Sequence, residues 1–114
     1  MKENILEIKS FDFAKRIVKL YKYLTKEKKE YVLSKQLLRS GTSIGANIRE
    51  ARYGSSRADF HAKLRISLKE ASESEYWIDL LKGEYLSDAE SESLKEDVIE
   101  IIKLLTSITK KTGK

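Results

Sequence analysis

Few residues of this chain could support acid–base catalysis or metal binding. His61 is the only histidine in 114 residues and cysteine is absent, so neither a thiolate site nor a paired-histidine di-iron site is available. A lone histidine beside an apolar helical stripe is most often a packing residue. The sequence therefore predicts no metal, no cofactor and no enzyme activity.

Acidic side chains gather in the helix expected at residues 56–82. Paired carboxylates can perform acid–base chemistry, but carboxylates three or four residues from lysines on one helix more simply form surface ion pairs. We therefore expect a solvated charged face. Its acids are Glu70, Glu73, Glu75 and Asp79, and the expected basic partners are Lys63, Lys69 and Lys82.

The segment GTSIG at residues 41–45 could suggest a phosphate-binding loop. It lacks the Gly-Lys-Ser/Thr ending and no strand precedes it, so that interpretation fails. Each interior glycine costs a helix about 1 kcal/mol relative to alanine. Because the apolar spacing continues on both sides, we expect an unbroken helix approached closely by the small residues at the centre of the third helix.

A row of lysines is the best indication of a binding surface. Lys15, Lys19, Lys22 and Lys26 recur at spacings of four, three and four residues, nearly opposite the apolar stripe of the first helix. The pattern predicts a helix with one apolar and one basic face. The second helix completes the candidate nucleic-acid-binding set with Lys35, Arg39, Arg49 and Arg52.

The charge distribution leaves several interpretations of this basic surface open. Residues 1–54 carry a net charge of +7 and residues 55–114 carry −2, which gives the chain +5. The basic half could bind RNA or DNA, or it could contact the acidic half of a neighbouring subunit. A charge row opposite a core stripe is also commonly just the solvated face of a helix.

Composition predicts a cytoplasmic helical protein. The chain has no proline, which favours long uninterrupted helices. Its first residues lead into no apolar run of signal-peptide length, and no segment approaches the roughly 18 apolar residues of a membrane span. We expect no membrane partner.

Apolar residues recur at helical spacing in four segments and predict one all-α domain over residues 1–114. The segments lie at about residues 10–25, 30–53, 56–82 and 87–110, with Ser10 and Ser87 as expected caps. Short connections imply antiparallel neighbours, hence an up-down-up-down four-helix bundle. Its expected core includes Leu37, Ile44, Leu64, Ala71, Ile78 and Ile101.

Surplus apolar residues predict self-association. Ile66, Trp77 and Leu80 lie about 120° around the third helix from its core stripe, and Leu38 lies on the polar side of the second helix. One monomeric bundle does not need both faces, so these four residues are the expected subunit interface. Contacts of the basic half with the next subunit's acidic half would be heterologous and could close into a ring.

Two motifs make the chain resemble a known family. Residues 37–51 read LLRSGTSIGANIREA, and the third helix contains SRADF at 56–60, SLKEA at 67–71 and EYW at 75–77. Over nearly the whole chain these segments resemble the 23S rRNA-intervening-sequence protein family, also called the four-helix bundle protein family. Ala51 departs from the pattern, because many relatives have glycine there.

The resemblance implies a four-helix bundle that assembles into a ring, typically a homopentamer, without known catalytic residues. A related group, the accessory proteins of diversity-generating retroelements, binds nucleic acid and a reverse transcriptase, so a protein partner is also conceivable. The leading hypothesis is a non-enzymatic oligomer that binds RNA or DNA through its basic face. The alternative is a protein-interaction or assembly module with no nucleic-acid role.

Overall fold

The computed structural model describes residues 2–113, and for residues 2–4 the backbone alone. Four helices make up this part of the chain: α1 (Lys2–Lys26), α2 (Leu33–Arg52), α3 (Arg57–Leu81) and α4 (Asp88–Thr112). Within the described residues α1 and α3 each pack against both α2 and α4, so α1 and α3 occupy opposite corners. The predicted four-helix bundle is confirmed. None of these helices is long and apolar enough to cross a membrane.

Neighbouring helices run antiparallel, which gives the bundle two distinct ends. Arg52 at the end of α2 donates to Glu7 near the start of α1 over 3.0 Å. His61 near the start of α3 lies 2.7 Å from the Thr112 hydroxyl at the end of α4. We call the end of the bundle that holds these two contacts the tail end. The lysine end is the opposite one, where residues 27–32 connect α1 to α2 and residues 82–87 connect α3 to α4.

The predicted core residues are buried where the four apolar stripes meet. Each stripe recurs at spacings of three and four residues, so it stays on one side of its helix and faces the bundle axis. The confirmed positions, all at most 1% exposed, are Leu37, Ile44, Leu64, Ala71, Ile78 and Ile101.

α1 begins eight residues earlier than predicted, at Lys2, and the capping role expected of Ser10 is wrong. Ser10 lies inside the helix, where its hydroxyl donates to the Glu7 carbonyl over 3.1 Å. The serine is small because α2 passes close by: a Cβ on Gly45 would lie 3.3 Å from Ser10 Oγ. Leu6 extends the core stripe of α1 beyond this polar interruption.

The glycines of α2 face α1, while the small residues of α3 make the predicted close approach to the same part of the unbroken α2. A Cβ on Gly41 would lie 3.0 Å from Ile17 Cγ1, so the absence of a side chain lets α1 approach. The small residues of α3 contact the same segment of α2 directly. Ser67 donates to the Ile44 carbonyl over 2.9 Å, one of the hydrogen bonds that join α3 to α2.

Candidate nucleic-acid interface

The predicted inward stripe of α1 is confirmed by the burial of Phe13, Ile17 and Leu24, and its four predicted lysines are exposed, but the outer surface is not uniformly basic. Its N-terminal half exposes mostly large apolar side chains, whereas its C-terminal half exposes lysines together with Val18 and Tyr23. Helical spacing places both sets on the side away from the core. We define the α1 strip as the exposed apolar residues Ile5, Ile8, Phe11 and Val18.

Arg39, one of the eight candidate cations, is held by a network on α3. Its guanidinium donates to Glu70 over 2.9 Å and also to Glu73, and Trp77 Nε1 donates to Glu73 over 2.9 Å. Hydrogen bonding to Glu73 raises the pKa of Arg39, and the bonds from Trp77 and Arg39 lower the pKa of Glu73 despite its partial burial. The Arg39 guanidinium is thus already hydrogen-bonded to two carboxylates and is not free to bind a phosphate.

The expected pairing of the α3 acids with lysines of the same helix is therefore wrong. Glu75 and Asp79 instead lie 4.0 and 2.9 Å from Lys95 of α4, while Lys63 pairs with Glu50 of α2 over 3.0 Å. Each pair joins two helices, because the acids lie at the edges of α3 that face its neighbours. Sequence spacing along one helix could not reveal these partners.

Three more candidate cations are engaged along the seam between α1 and α2. Arg52 forms the ion pair with Glu7 of α1 that is described above. Lys15 lies 3.4 Å from Asp12 and 5.3 Å from the centre of the Phe11 ring, and the guanidinium carbon of Arg49 lies 5.8 Å from the same ring centre. Such contacts lie within cation–π distance of the exposed ring.

The other four candidates share one location and have no acidic partner. Each is exposed, and among the described residues none lies within ion-pair distance of a carboxylate. All four belong to the C-terminal half of α1 or the first turn of α2, and two further lysines occupy the connection between them. We define this lysine cluster as Lys19, Lys22, Lys26, Lys28, Lys29 and Lys35.

Sequence analysis missed Lys28 and Lys29 because it searched helix faces only. The dipeptide lies between two helices, so it belongs to no periodic row. Its signal was the run of charge at residues 26–30. The lysine cluster lies on the α1–α2 side of the lysine end, whereas α4 begins at the same end with the acids Asp88 and Glu90.

The connection between α1 and α2 is held by a buried carboxylate. Glu30 is 8% exposed and accepts hydrogen bonds from the backbone N–H groups of Val32, Leu33 and Ser34 at 3.1, 3.0 and 2.6 Å. Burial acts to raise the pKa of Glu30, but these donors outweigh it and the pKa is lowered. Glu30 therefore caps α2, which begins at Leu33 and not at the predicted Glu30.

Further hydrogen bonds give this connection a defined shape. The Glu30 N–H donates to the Leu24 carbonyl over 2.9 Å, and the Ser34 hydroxyl donates to the Glu30 carbonyl over 2.8 Å. Lys29 takes a left-handed conformation with φ of 56° to make the turn. Next to the buried Glu30, Tyr31 and Val32 remain 57% and 70% exposed.

The four residues predicted as a subunit interface fall into two groups. Ile66 and Leu80 are exposed on the outer side of α3, together with Tyr76. Leu38 and Trp77 are only partly exposed and pack against the core. We define the α3 strip as Ile66, Tyr76 and Leu80. Because α1 and α3 occupy opposite corners, the α1 and α3 strips face away from each other.

His61 takes part in packing and hydrogen bonding at the tail end. Besides its bond to Thr112, its ring lies against Gly113, where a Cβ would come within 3.0 Å of His61 Cε1. Among the described side chains, those of residues 5–113, no group of three or more His, Cys, Asp or Glu residues is placed to hold a metal ion.

Comparison with known proteins identifies relatives of the same architecture. The sequence profile of the 23S rRNA-intervening sequence protein family matches residues 2–107. A solved structure from Bacteroides thetaiotaomicron, described as a protein with unknown function from the S23 ribosomal protein family, is 59% identical in sequence. Its TM-score is 0.94, over 96% of this chain and 99% of that one. No curated protein matches the chain.

Proposed function

Because the chain belongs to the 23S rRNA-intervening sequence protein family, we propose that it is a non-enzymatic oligomer that binds RNA or DNA at its lysine end. The observation that carries the proposal is the lysine cluster. Six lysines lie close together in the chain at one end of the bundle, exposed and without acidic partners among the described residues.

The unpaired state of these lysines is what favours a polyanion. A cation already bonded to a carboxylate must break that bond before it can bind phosphate, so its net contribution is small. An unpaired surface lysine loses only water and releases condensed counterions from the nucleic acid. The expected binding is therefore weak per subunit, independent of sequence and strongly dependent on salt.

Assembly would multiply these weak contacts. The α1 and α3 strips are exposed apolar surfaces on opposite corners, which suits a head-to-tail contact between the α1 strip of one subunit and the α3 strip of the next. Heterologous contacts close into a ring only when the rotation between successive subunits permits it, and we propose a closed ring of five subunits because the family resemblance implies a pentamer. A ring presents several lysine ends to one nucleic-acid strand, so modest contacts sum to useful avidity.

A second candidate function is an assembly module that binds no nucleic acid. The same two strips favour it, because they support association whether or not a polyanion is present. Under this alternative the lysine cluster would keep the assembled protein soluble or bind an acidic protein partner.

Matched charge reversals distinguish the two functions. We expect Lys22→Glu with Lys26→Glu to abolish RNA binding at low salt, and Lys110→Glu with Lys111→Glu at the tail end to retain it. Both double variants lower the net charge from +5 to +1, so a general charge effect would weaken both equally. Fluorescence anisotropy with a labelled RNA measures the binding. No binding by the wild type, or equal loss in both variants, would contradict the proposal.

Oligomer mass tests the assembly separately. Ile66→Asp with Leu80→Asp should give a monomer by light scattering, because the charges would be buried in the subunit contact. Gln36→Asp with Ala89→Asp is the control, since both positions are exposed and lie outside the strips. Both variants should retain wild-type helicity. A monomeric wild type at micromolar concentration would contradict ring assembly.

A further inference from the structure

Tyr31 is an aromatic side chain presented to solvent at the lysine end. It is 57% exposed and directly follows Glu30, whose buried carboxylate holds the connection to α2. We propose that Tyr31 is a stacking platform for an unpaired base, so that the lysine end binds single-stranded nucleic acid in preference to duplex. This inference rests on the proposed nucleic-acid function and names its substrate class.

The backbone on both sides of Tyr31 is already ordered before any ligand binds. Residue 30 bonds back to α1 through its N–H and forward to α2 through its carboxylate and carbonyl. A tyrosine has only two side-chain torsions to fix, so little conformational entropy is lost when a base stacks on it. The connection therefore provides a preorganised aromatic surface.

Phosphate-binding groups lie on both sides of this ring along the chain. Lys28 and Lys29 precede Tyr31 and Lys35 follows it, each within four residues. A single strand can place a base on the ring while its backbone phosphates contact these lysines. In a duplex the bases are stacked and paired inside the helix, so the lysines can still bind phosphate but the ring gains no base. The aromatic group therefore contributes selectively to single-strand affinity.

Other surfaces of the molecule fit this role less well. Phe11 is also exposed beside cations, but those cations are engaged and the ring belongs to the α1 strip. An anionic membrane is a conceivable partner of lysines beside exposed Tyr31 and Val32. Membrane-binding surfaces present a broad face of Trp, Phe and Leu, whereas the exposed large apolar side chains beside these lysines are two tyrosines, Tyr23 and Tyr31, and Val32.

Paired affinity measurements on single-stranded and duplex probes test the inference. An oligo(U) strand of about 20 nucleotides covers at least one binding site, and an RNA duplex of equal length is the comparison. Tyr31→Ala should weaken oligo(U) binding by about 5- to 150-fold, the range for loss of one stacked base, and change duplex binding less than about twofold. Tyr31→Trp should retain oligo(U) binding.

Tyr53→Ala is the matched control, because Tyr53 is a 76% exposed tyrosine at the tail end. It should bind both probes as the wild type does. Tyr31 and Tyr53 are surface residues, so both alanine variants should melt as the wild type does by circular dichroism.

The possible failures are distinguishable. Unchanged oligo(U) affinity in Tyr31→Ala would overturn the stacking role and leave the proposed function standing on the lysines. Equal weakening for strand and duplex would overturn the single-strand preference. Absence of binding to either probe by the wild type, with binding to vesicles of phosphatidylserine and phosphatidylcholine, would overturn both proposals and identify a membrane surface.

Discussion

The two ends of the bundle are both rich in cations, yet only one of them leaves a cluster of six unpaired. At the tail end Arg52 pairs with Glu7, Lys63 pairs with Glu50, and Arg57 donates to the Lys111 carbonyl over 3.0 Å. At the lysine end no such pair forms for the lysine cluster within the described residues. The number of cations at an end therefore says less about its capacity to bind an anionic ligand than the positions of the acids on adjacent helices.

Helix dipoles explain one part of this difference. Acids are favoured at helix starts and bases at helix ends, so antiparallel neighbours bring an acid beside a base. This holds for Arg52 at the end of α2, which pairs with Glu7 near the start of α1, whereas the Lys63–Glu50 pair has the acid at a helix end and the base near a helix start. At the lysine end the first turn of α2 contains no acid, and the nearby Glu30 is buried as its cap. The lysines of α1 consequently lack partners.

The largest expected effect tests whether the two ends share one core. Leu64 is 1% exposed in α3, so Leu64→Asp would bury an unpaired charge whose cost exceeds the marginal stability of roughly 5–15 kcal/mol. We expect loss of helical circular dichroism throughout the protein. The neighbouring exposed residue provides a control, since Arg65→Asp should fold normally. Retained helicity and melting temperature in Leu64→Asp would contradict the assigned phase of α3.

A smaller and local effect is expected at Glu30. Glu30→Gln keeps the shape but replaces one acceptor oxygen with an NH₂ donor, which should destabilise the fold by about 1–2 kcal/mol at neutral pH. Amide hydrogen exchange should accelerate at Leu33 and Ser34 and remain unchanged at Asp59 on the tail end. Faster exchange at both ends alike would contradict a local role for this cap.

The same variant has an expected pH dependence. The folded-state pKa of Glu30 is lowered from 4.5, so the ionised carboxylate stabilises the fold above that pH. This contribution falls as pH drops through the folded-state pKa. The stability difference between wild type and Glu30→Gln should therefore shrink under acid conditions in urea titrations. A difference that persists undiminished at acid pH would argue against the ionised form as the cap.

The salt dependence of RNA binding compares the two ends lysine by lysine. Lys26→Ala should reduce the steepness of the log–log salt dependence by about 0.7, the contribution of one phosphate on a single strand. Lys111→Ala at the tail end should leave the slope unchanged. Anisotropy titrations at several salt concentrations give both slopes. Equal changes would show that nucleic acid contacts both ends.

The smallest effect is expected when a tail-end pair is broken. Glu7→Gln removes the partner of Arg52, whose side chain is 57% exposed, so the stability change should stay below about 1 kcal/mol. Urea denaturation measures it. A loss of several kcal/mol would mean that this pair holds α1 to α2 and is more than a neutralised surface charge.

Sequence periodicity was sufficient to predict the four-helix bundle and its core residues, because apolar residues at helical spacing can be buried together in few ways. It misplaced the start of α1 because Ser10 interrupts the stripe between Leu6 and Phe13. It also placed the start of α2 at Glu30, three residues too early, because apolar spacing does not show that Glu30 lies outside the helix and caps it. The family resemblance, confirmed over residues 2–107, depended on motifs in α2 and α3.

Only the tertiary structure divided the eight predicted cations into engaged and unpaired groups. The sequence determined which residues are charged and which face of each helix is apolar, since both follow from residue type and helical spacing. It could not show that Arg39 lies against Glu70 or that Arg52 lies against Glu7, separated by 31 and 45 residues. Ion pairs form between side chains within a few ångströms of each other, and helix packing alone decides which helices come that close.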